Sequence, residues 1–104
     1  MDNNLEQEIA VDGDSVAMVK SGTPTKSLAV FITTSATKEK LDHIKIRGIG
    51  AGAVNQMVKA VITAKSRLSE KGITTTWDAY YRDVDSRSDD GKSISAIEFN
   101  IKFS

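Results

Sequence analysis

The chain has 104 residues, 39% of them apolar and 27% charged, which is enough for one hydrophobic core and too little for a two-domain enzyme. It has no cysteine, which excludes disulfides and thiolate metal sites, and no window approaches the ~20 apolar residues of a membrane span. The formal net charge of zero conceals a segregation: residues 1–14 hold five acids and no base, while residues 15–104 hold 14 bases and nine acids. Such a division fits either a polyanion-binding body with an acidic tail or an unevenly solvated surface.

The elements are predicted in chain order as follows. Residues 1–14 read as an acidic N-terminal tail, in which Leu5, Ile9 and Val11 can let a part pair or dock. The start Met1-Asp-Asn-Asn-Leu-Glu-Gln-Glu lacks the basic and apolar runs of a signal peptide, so a cytoplasmic protein is expected. The domain proper is expected over 15–104, opening with a strand at Ser15–Lys20. Ser21-Gly-Thr-Pro24 breaks it, with Thr23 as a candidate N-cap and Pro24 at the first helical position. Leu28–Thr34 is ambiguous. Its β-branched residues suit a strand, while Leu28, Phe31 and Ile32 share a helical face; the Thr-Pro start favours a helix of about 24–40.

A short strand at His43–Arg47 then runs into Gly48, Gly50 and Gly52, and a second helix follows. Its predicted buried stripe is Val54, Met57, Val58, Val61, Ile62 and Leu68, at i, i+3, i+4 spacing, and Gly72 is its stop signal. Ile73 to about Asp85 and the alternating run Ile97, Phe99, Ile101, Phe103 form a β-hairpin, with Glu98, Asn100 and Lys102 on the other face. Asp85–Lys92 is the polar loop between them. The order is β-α-β-α-β-β, an α/β or α+β chain whose four-stranded mixed sheet carries two helices on one face. The expected core is Val30, Ile32, Ile44, Ile46, Val54, Val58, Val61, Ile62, Ile97, Phe99 and Ile101, so Val58→Asp is expected to unfold the domain.

The glycine turn admits three readings. Gly48-Ile-Gly-Ala-Gly-Ala53 satisfies a loose dinucleotide fingerprint, but the acid about twenty residues on, Glu70, ends the helix, and only a hairpin remains to complete the fold. The small residues can instead permit close strand-to-helix packing. Or the turn can present free N–H groups at a helix start to an anion, flanked by Lys45, Arg47, Lys59, Lys65 and Arg67. Catalytic groupings are missing: His43 is the single histidine, Asp83, Asp85, Asp89 and Asp90 lack the spacing of a calcium loop, and Ser35, Ser66 and Ser69 have no base partner in reach. No enzyme activity, metal or cofactor is expected.

Ile49-Gly-Ala-Gly-Ala-Val-Asn-Gln-Met-Val-Lys-Ala-Val61 resembles the stage V sporulation protein S family, whose turn and helix have the form I-G-A-G-A-[VL]-N-Q-A-V-K-A-[VI]; Met57 is the departure. The resemblance covers roughly 15–104. That family looks like a compact relative of the Alba group of DNA- and RNA-binding proteins, and Gly22-Thr-Pro24 is similar to the Alba loop between first strand and first helix. The resemblance implies an Alba-like fold, a dimer, and nucleic-acid binding across loops and hairpin arms. In archaeal Alba proteins, lysines near the first helix start and arginines in the second turn make contacts. Here Thr23 precedes the proline and glycines stand in that turn.

The expected function is non-enzymatic binding of RNA (DNA remaining possible), single-stranded and with low sequence specificity, by a homodimer. The candidate contact residues are Lys20, Lys26, Lys45, Arg47, Gly50, Gly52, Asn55, Gln56, Lys59, Arg82, Arg87 and Lys92. Tyr80 or Tyr81 can stack an unpaired base. Reversing Lys45 and Arg47 to Glu is expected to weaken binding without disturbing the fold. The alternative is a regulatory or structural module that acts by self-assembly, and the Trp77, Tyr80 and Tyr81 cluster motivates the dimer in either case.

Overall fold

The computed structural model describes residues 10–11, 16–85 and 93–104. The elements are β1 (Ala10–Val11), β2 (Val16–Val19), α1 (Thr25–Thr37), β3 (His43–Gly48), α2 (Ala51–Glu70), β4 (Thr75–Asp85) and β5 (Ser93–Phe103). The sheet order is β1-β2-β3-β5-β4. β2 and β3 are parallel, joined by the α1 crossover, and the other pairings are antiparallel. The predicted four strands and two helices are all present in the predicted order. To them is added the two-residue edge strand β1, which comes from the acidic segment and pairs with Ala17 and Met18.

Register sorts the side chains onto two faces. Ile44, Ile46 and Gly48 lie opposite Ile101, Phe99 and Ile97, and on this face Leu28, Ala29 and Ile32 of α1 and Met57, Val61 and Leu68 of α2 complete the core. Each large side chain so buried contributes about 1.5–3 kcal/mol. The approach of α2 is set by small residues. A Cβ on Gly48 would fall 2.7 Å from the Met57 sulfur and 3.0 Å from the Ala53 Cβ, so only glycine lets helix and strand meet there.

In the threonine-rich run of helix α1, Thr33, Ser35 and Thr37 donate their hydroxyls to the carbonyls of Ala29, Phe31 and Thr33. Such bonding back to the i−4 carbonyl satisfies the hydroxyls at a small cost to the helix, so packing of Leu28, Ala29 and Ile32 into the core is what holds the run helical. Helix α2 ends in a Schellman turn: Gly72, at φ 78°, donates to the Ser69 carbonyl, and Ile73 donates to that of Leu68.

Several expectations are corrected. The N-cap of α1 is Pro24, not Thr23, whose hydroxyl instead accepts the Lys20 N–H at 2.8 Å and closes the preceding turn. The helix ends at Thr37 and not near 40. The buried face of α2 is Ala53, Met57, Ala60, Val61, Ala64 and Leu68; Val54 is only partly buried, and Val58 and Ile62 are 36% and 56% exposed. Val30 on α1 is exposed as well. Side-chain size points to the wrong stripe, because a helix lying against a glycine in the sheet buries its alanines. Val58→Asp therefore introduces no buried charge.

Candidate functional site

The parallel pairing of β2 and β3 brings their carboxyl ends to one edge, and both helices begin there. The β2–α1 loop, residues 20–24, and the β3–α2 turn, residues 49–50, lie side by side. A Cβ on Gly52 would meet the Ser21 Cβ at 2.8 Å, and Gln56 donates its amide N–H to the Thr23 carbonyl at 2.8 Å. The first ladder bonds are Leu28 N–H to Pro24 and Val54 N–H to Gly50, each at 3.1 Å. The amides of residues 25–27 and 51–53 are thus outside the ladders. Neither helix has a side-chain cap, and neither has an acid in its first turn. Lys26 stands in the first turn of α1 and Lys20 just after β2, both exposed. A cation at a helix N-terminus opposes the macrodipole by about 0.3–1 kcal/mol, an arrangement that an anion would relieve. Gly50 holds φ 89°, which only glycine adopts without strain.

The second charged region lies on the sheet face opposite the helices. Arg47 of β3 and Tyr80 of β4 both flank Glu98 of β5 in register. Glu98 is 1% exposed. Its Oε1 accepts from Arg47 Nε at 2.9 Å and Nη2 at 2.8 Å, and its Oε2 accepts from Arg82 Nε at 3.2 Å. The Arg82 guanidinium also sits 4.6 Å from the centroid of the Tyr80 ring. Burial alone would push the Glu98 carboxyl up, but the hydrogen bonds from Arg47, Tyr80 and Arg82 outweigh it and hold the group below its ordinary value. Burial and the bond to Glu98 raise the Tyr80 phenol. The bonds to Tyr80 and Glu98 raise the Arg82 guanidinium. Lys45 lines a shallow groove with Val16, Arg47, Arg82 and Glu98.

The profile of the stage V sporulation protein S family matches residues 15–104. The chain belongs to this family. Among solved structures, it is similar to Alba from Thermoplasma volcanium, with a TM-score of 0.60 and 14% identity over 82% of this chain and 98% of that one. At that identity the likeness shows the fold, which is Alba-like. A search of curated proteins found no match. No helix among the described residues is long and apolar enough to cross a membrane.

Within this family member the candidate residues fall into separate groups. Lys20, Lys26, Gly50, Gly52, Asn55 and Gln56 gather at the loop end, with Lys59 exposed one turn beyond exposed Asn55 on α2. Gln56 and Gly52 act there by joining the two loops. Lys45, Arg47 and Arg82 lie on the opposite sheet face. Arg87 and Lys92, with the acidic loop around Asp89 and Asp90, are outside the described residues. His43 is exposed and bonded to Asp42 at 2.7 Å. No cluster of three or more potential metal ligands occurs among the described residues. No sequence signal singles out Glu98. Alternation puts it on the outward face, but only the β3–β5–β4 register brings two arginines to it.

Proposed function

We propose that this protein is a non-enzymatic nucleic-acid-binding protein that takes single-stranded RNA with little sequence specificity. The observation that carries the reading is the loop end, where two uncapped helix N-termini free of acids adjoin Lys20 and Lys26. Backbone amides and lysines there suit phosphate oxygens, which carry no sequence information. Helix α2 gives its apolar face to the core, so it is poorly suited to reading bases in a major groove. Tyr81, 77% exposed on β4, is available for stacking, worth about 1–3 kcal/mol per base.

The protein works as a homodimer in this proposal. Val58, Ile62 and Lys65 share one flank of α2, and the Lys65 ammonium lies 5.4 Å from the centroid of the Trp77 ring, so that flank looks onto β4. Exposed Val58 and Ile62 supply the apolar surface that closed two-fold pairing would cover. Self-assembly without nucleic acid rests on the same flank and is the second reading.

One titration separates them. Fluorescence polarisation with labelled single- and double-stranded RNA and DNA, at salt from about 50 mM upward, is expected to show log K falling by about 0.7 per contacted phosphate for single strands. The double variant Lys20→Glu, Lys26→Glu is expected to weaken all sequences alike. Absence of binding by the parent at low salt refutes the nucleic-acid reading and leaves self-assembly, whereas equal binding by the double variant refutes the loop end as the place of contact.

A further inference from the structure

Strand β4 is the last strand of the sheet, so along its outer side the backbone N–H and C=O groups meet no other strand among the described residues. An edge of this kind invites pairing with another strand, and proteins blunt it with proline, lysine, a bulge or a short strand. β4 has none of these. It runs for 11 residues without proline or lysine. Its register with β5 is unbroken from Thr75 opposite Phe103 to Asp85 opposite Ser93, which leaves no place for a bulge. Between residues 76 and 83, all but Trp77 and Tyr80 are exposed.

The charges on this edge stand in a self-complementary order. Asp78 and Arg82 lie on the same face of β4, one on each side of Tyr80 at equal spacing. When β4 pairs antiparallel with β4 of a second copy and Tyr80 lies on the two-fold axis, Asp78 of each copy falls opposite Arg82 of the other. Opposite charges directly across a ladder attract and like charges repel. Centring the pair on Asp78 or on Arg82 would instead set like charges face to face. Arg82 can serve two carboxylates: Glu98 takes its Nε, the side chain is 48% exposed, and a guanidinium has five N–H donors. Asp78 is exposed and forms no ion pair among the described residues. On the helix side of the sheet, Tyr81 falls opposite Ala79 of the second copy, a side chain small enough to leave the ring open for stacking.

We propose that β4 is the edge at which two copies of this chain join, antiparallel and centred on Tyr80, so that their sheets become one. The inference rests on the homodimer reading and says where its backbone contacts are made. A two-fold axis perpendicular to the sheet keeps both α2 helices on the same side. The flank that carries Val58 and Ile62 looks onto β4 through Lys65 and Trp77, so the flanks of the two copies then face each other across the seam.

A charge swap between copies tests the pairing. Asp78→Arg sets arginine opposite arginine, and Arg82→Glu sets glutamate opposite aspartate; each is expected to raise the dimer Kd about ten- to a hundredfold. Mixed one to one, the two variants are expected to recover the parental Kd, because every such pair in the mixed dimer joins opposite charges. Sedimentation velocity over a concentration series reads each Kd, and thermal melts report folding. A second probe uses the absence of cysteine from the chain. Ala79→Cys and Tyr81→Cys each add one thiol. Residues directly opposite lie about 4.5–5.5 Å apart at Cα, within reach of a disulfide, whereas each of these two stands about 8 Å from its own counterpart, out of reach. Oxidised glutathione is therefore expected to cross-link the mixture of the two variants and neither one alone. If Arg82→Glu fails to fold beside Glu98, the cysteine pair decides. Parental dimerisation by the folded charge variants, a mixture that does not recover it, or a cysteine mixture that does not cross-link overturns the proposal; a parent that is still dimeric in that case keeps the homodimer reading, with its contacts on the α2 flank. Cross-linking of Ala79→Cys or Tyr81→Cys alone overturns the register centred on Tyr80. A parent that is monomeric at high micromolar concentration refutes the homodimer reading and the inference together.

Discussion

Replacing Arg47 by Glu should destabilise the fold far more than replacing Val58 by Asp, the reverse of what the hydrophobic pattern alone suggests. The Arg47 side chain is 17% exposed and gives Glu98 two contacts, at 2.8 and 2.9 Å. Removing one member of a buried pair costs about 3–5 kcal/mol. Arg82 and Tyr80 still reach Glu98, which argues for the lower end, but the new carboxylate adds like-charge repulsion beside the old one. About 3 kcal/mol in a domain of this size lowers Tm by roughly 12–24 °C. Val58 is 36% exposed, so an aspartate there reaches water, and valine and aspartate have similar helix propensity. Its effect on the fold of the single protomer is expected within about 1 kcal/mol, separate from any loss of the pairing proposed through the Val58 flank. Melts followed by circular dichroism at one protein concentration measure both. An Arg47→Glu protein melting within a few degrees of the parent, or an unfolded Val58→Asp protein, would refute the assignment of the two faces. On the same ground, reversing Lys45 and Arg47 together does not spare the fold as the sequence alone suggests, so that double variant is no clean probe of binding.

Ile62→Glu is expected to leave the monomer folded and to abolish the dimer, read by light scattering at high micromolar concentration; a persisting dimer places the interface elsewhere. The folded-state Glu98 carboxyl lies below its ordinary value of 4.5, so its contribution to stability is complete above that pH and is lost as pH falls through the lowered value. Tm is accordingly expected to drop on the acid side, and Glu98→Gln to flatten that drop; an identical acid limb in the variant contradicts the linkage. Deleting residues 1–14 removes five acids and leaves a body with 14 bases and nine acids, which is expected to tighten RNA binding most at low salt. Equal affinity in the truncated protein would show that the tail does not compete.

The element order is legible in the sequence because its signals are local. Gly72 marks the helix end that it caps, and the parity of Ile97, Phe99, Ile101 and Phe103 states which side of β5 meets the helices. The helix face is harder to see. Val58 and Ile62 look like core by size, yet Ala53, Ala60 and Ala64 are buried, because the distance between α2 and the sheet is set at Gly48 on another element. The Glu98 cluster is out of reach for the same reason: Arg47 is 51 residues from Glu98 in the chain. An outward-pointing glutamate on an alternating strand reads as solvated until its cross-strand neighbours are known.

At the glycine turn, packing and anion contact are not alternatives. Gly48 is required by the approach of Met57 and Ala53, Gly52 by the approach of Ser21, and Gly50 by its positive φ. Two of the three are thus packing residues. Yet the contact at Gly52, reinforced by Gln56 on Thr23, is what sets the start of α2 against the loop that begins α1. A residue with a Cβ at 52 would have to push those loops apart. The amides of residues 25–27 and 51–53 would then no longer lie at one shared edge beside Lys20 and Lys26. Close packing is therefore the means by which two helix dipoles come to act on one place, and a larger residue at 52 would weaken an anion's hold without removing a single charge.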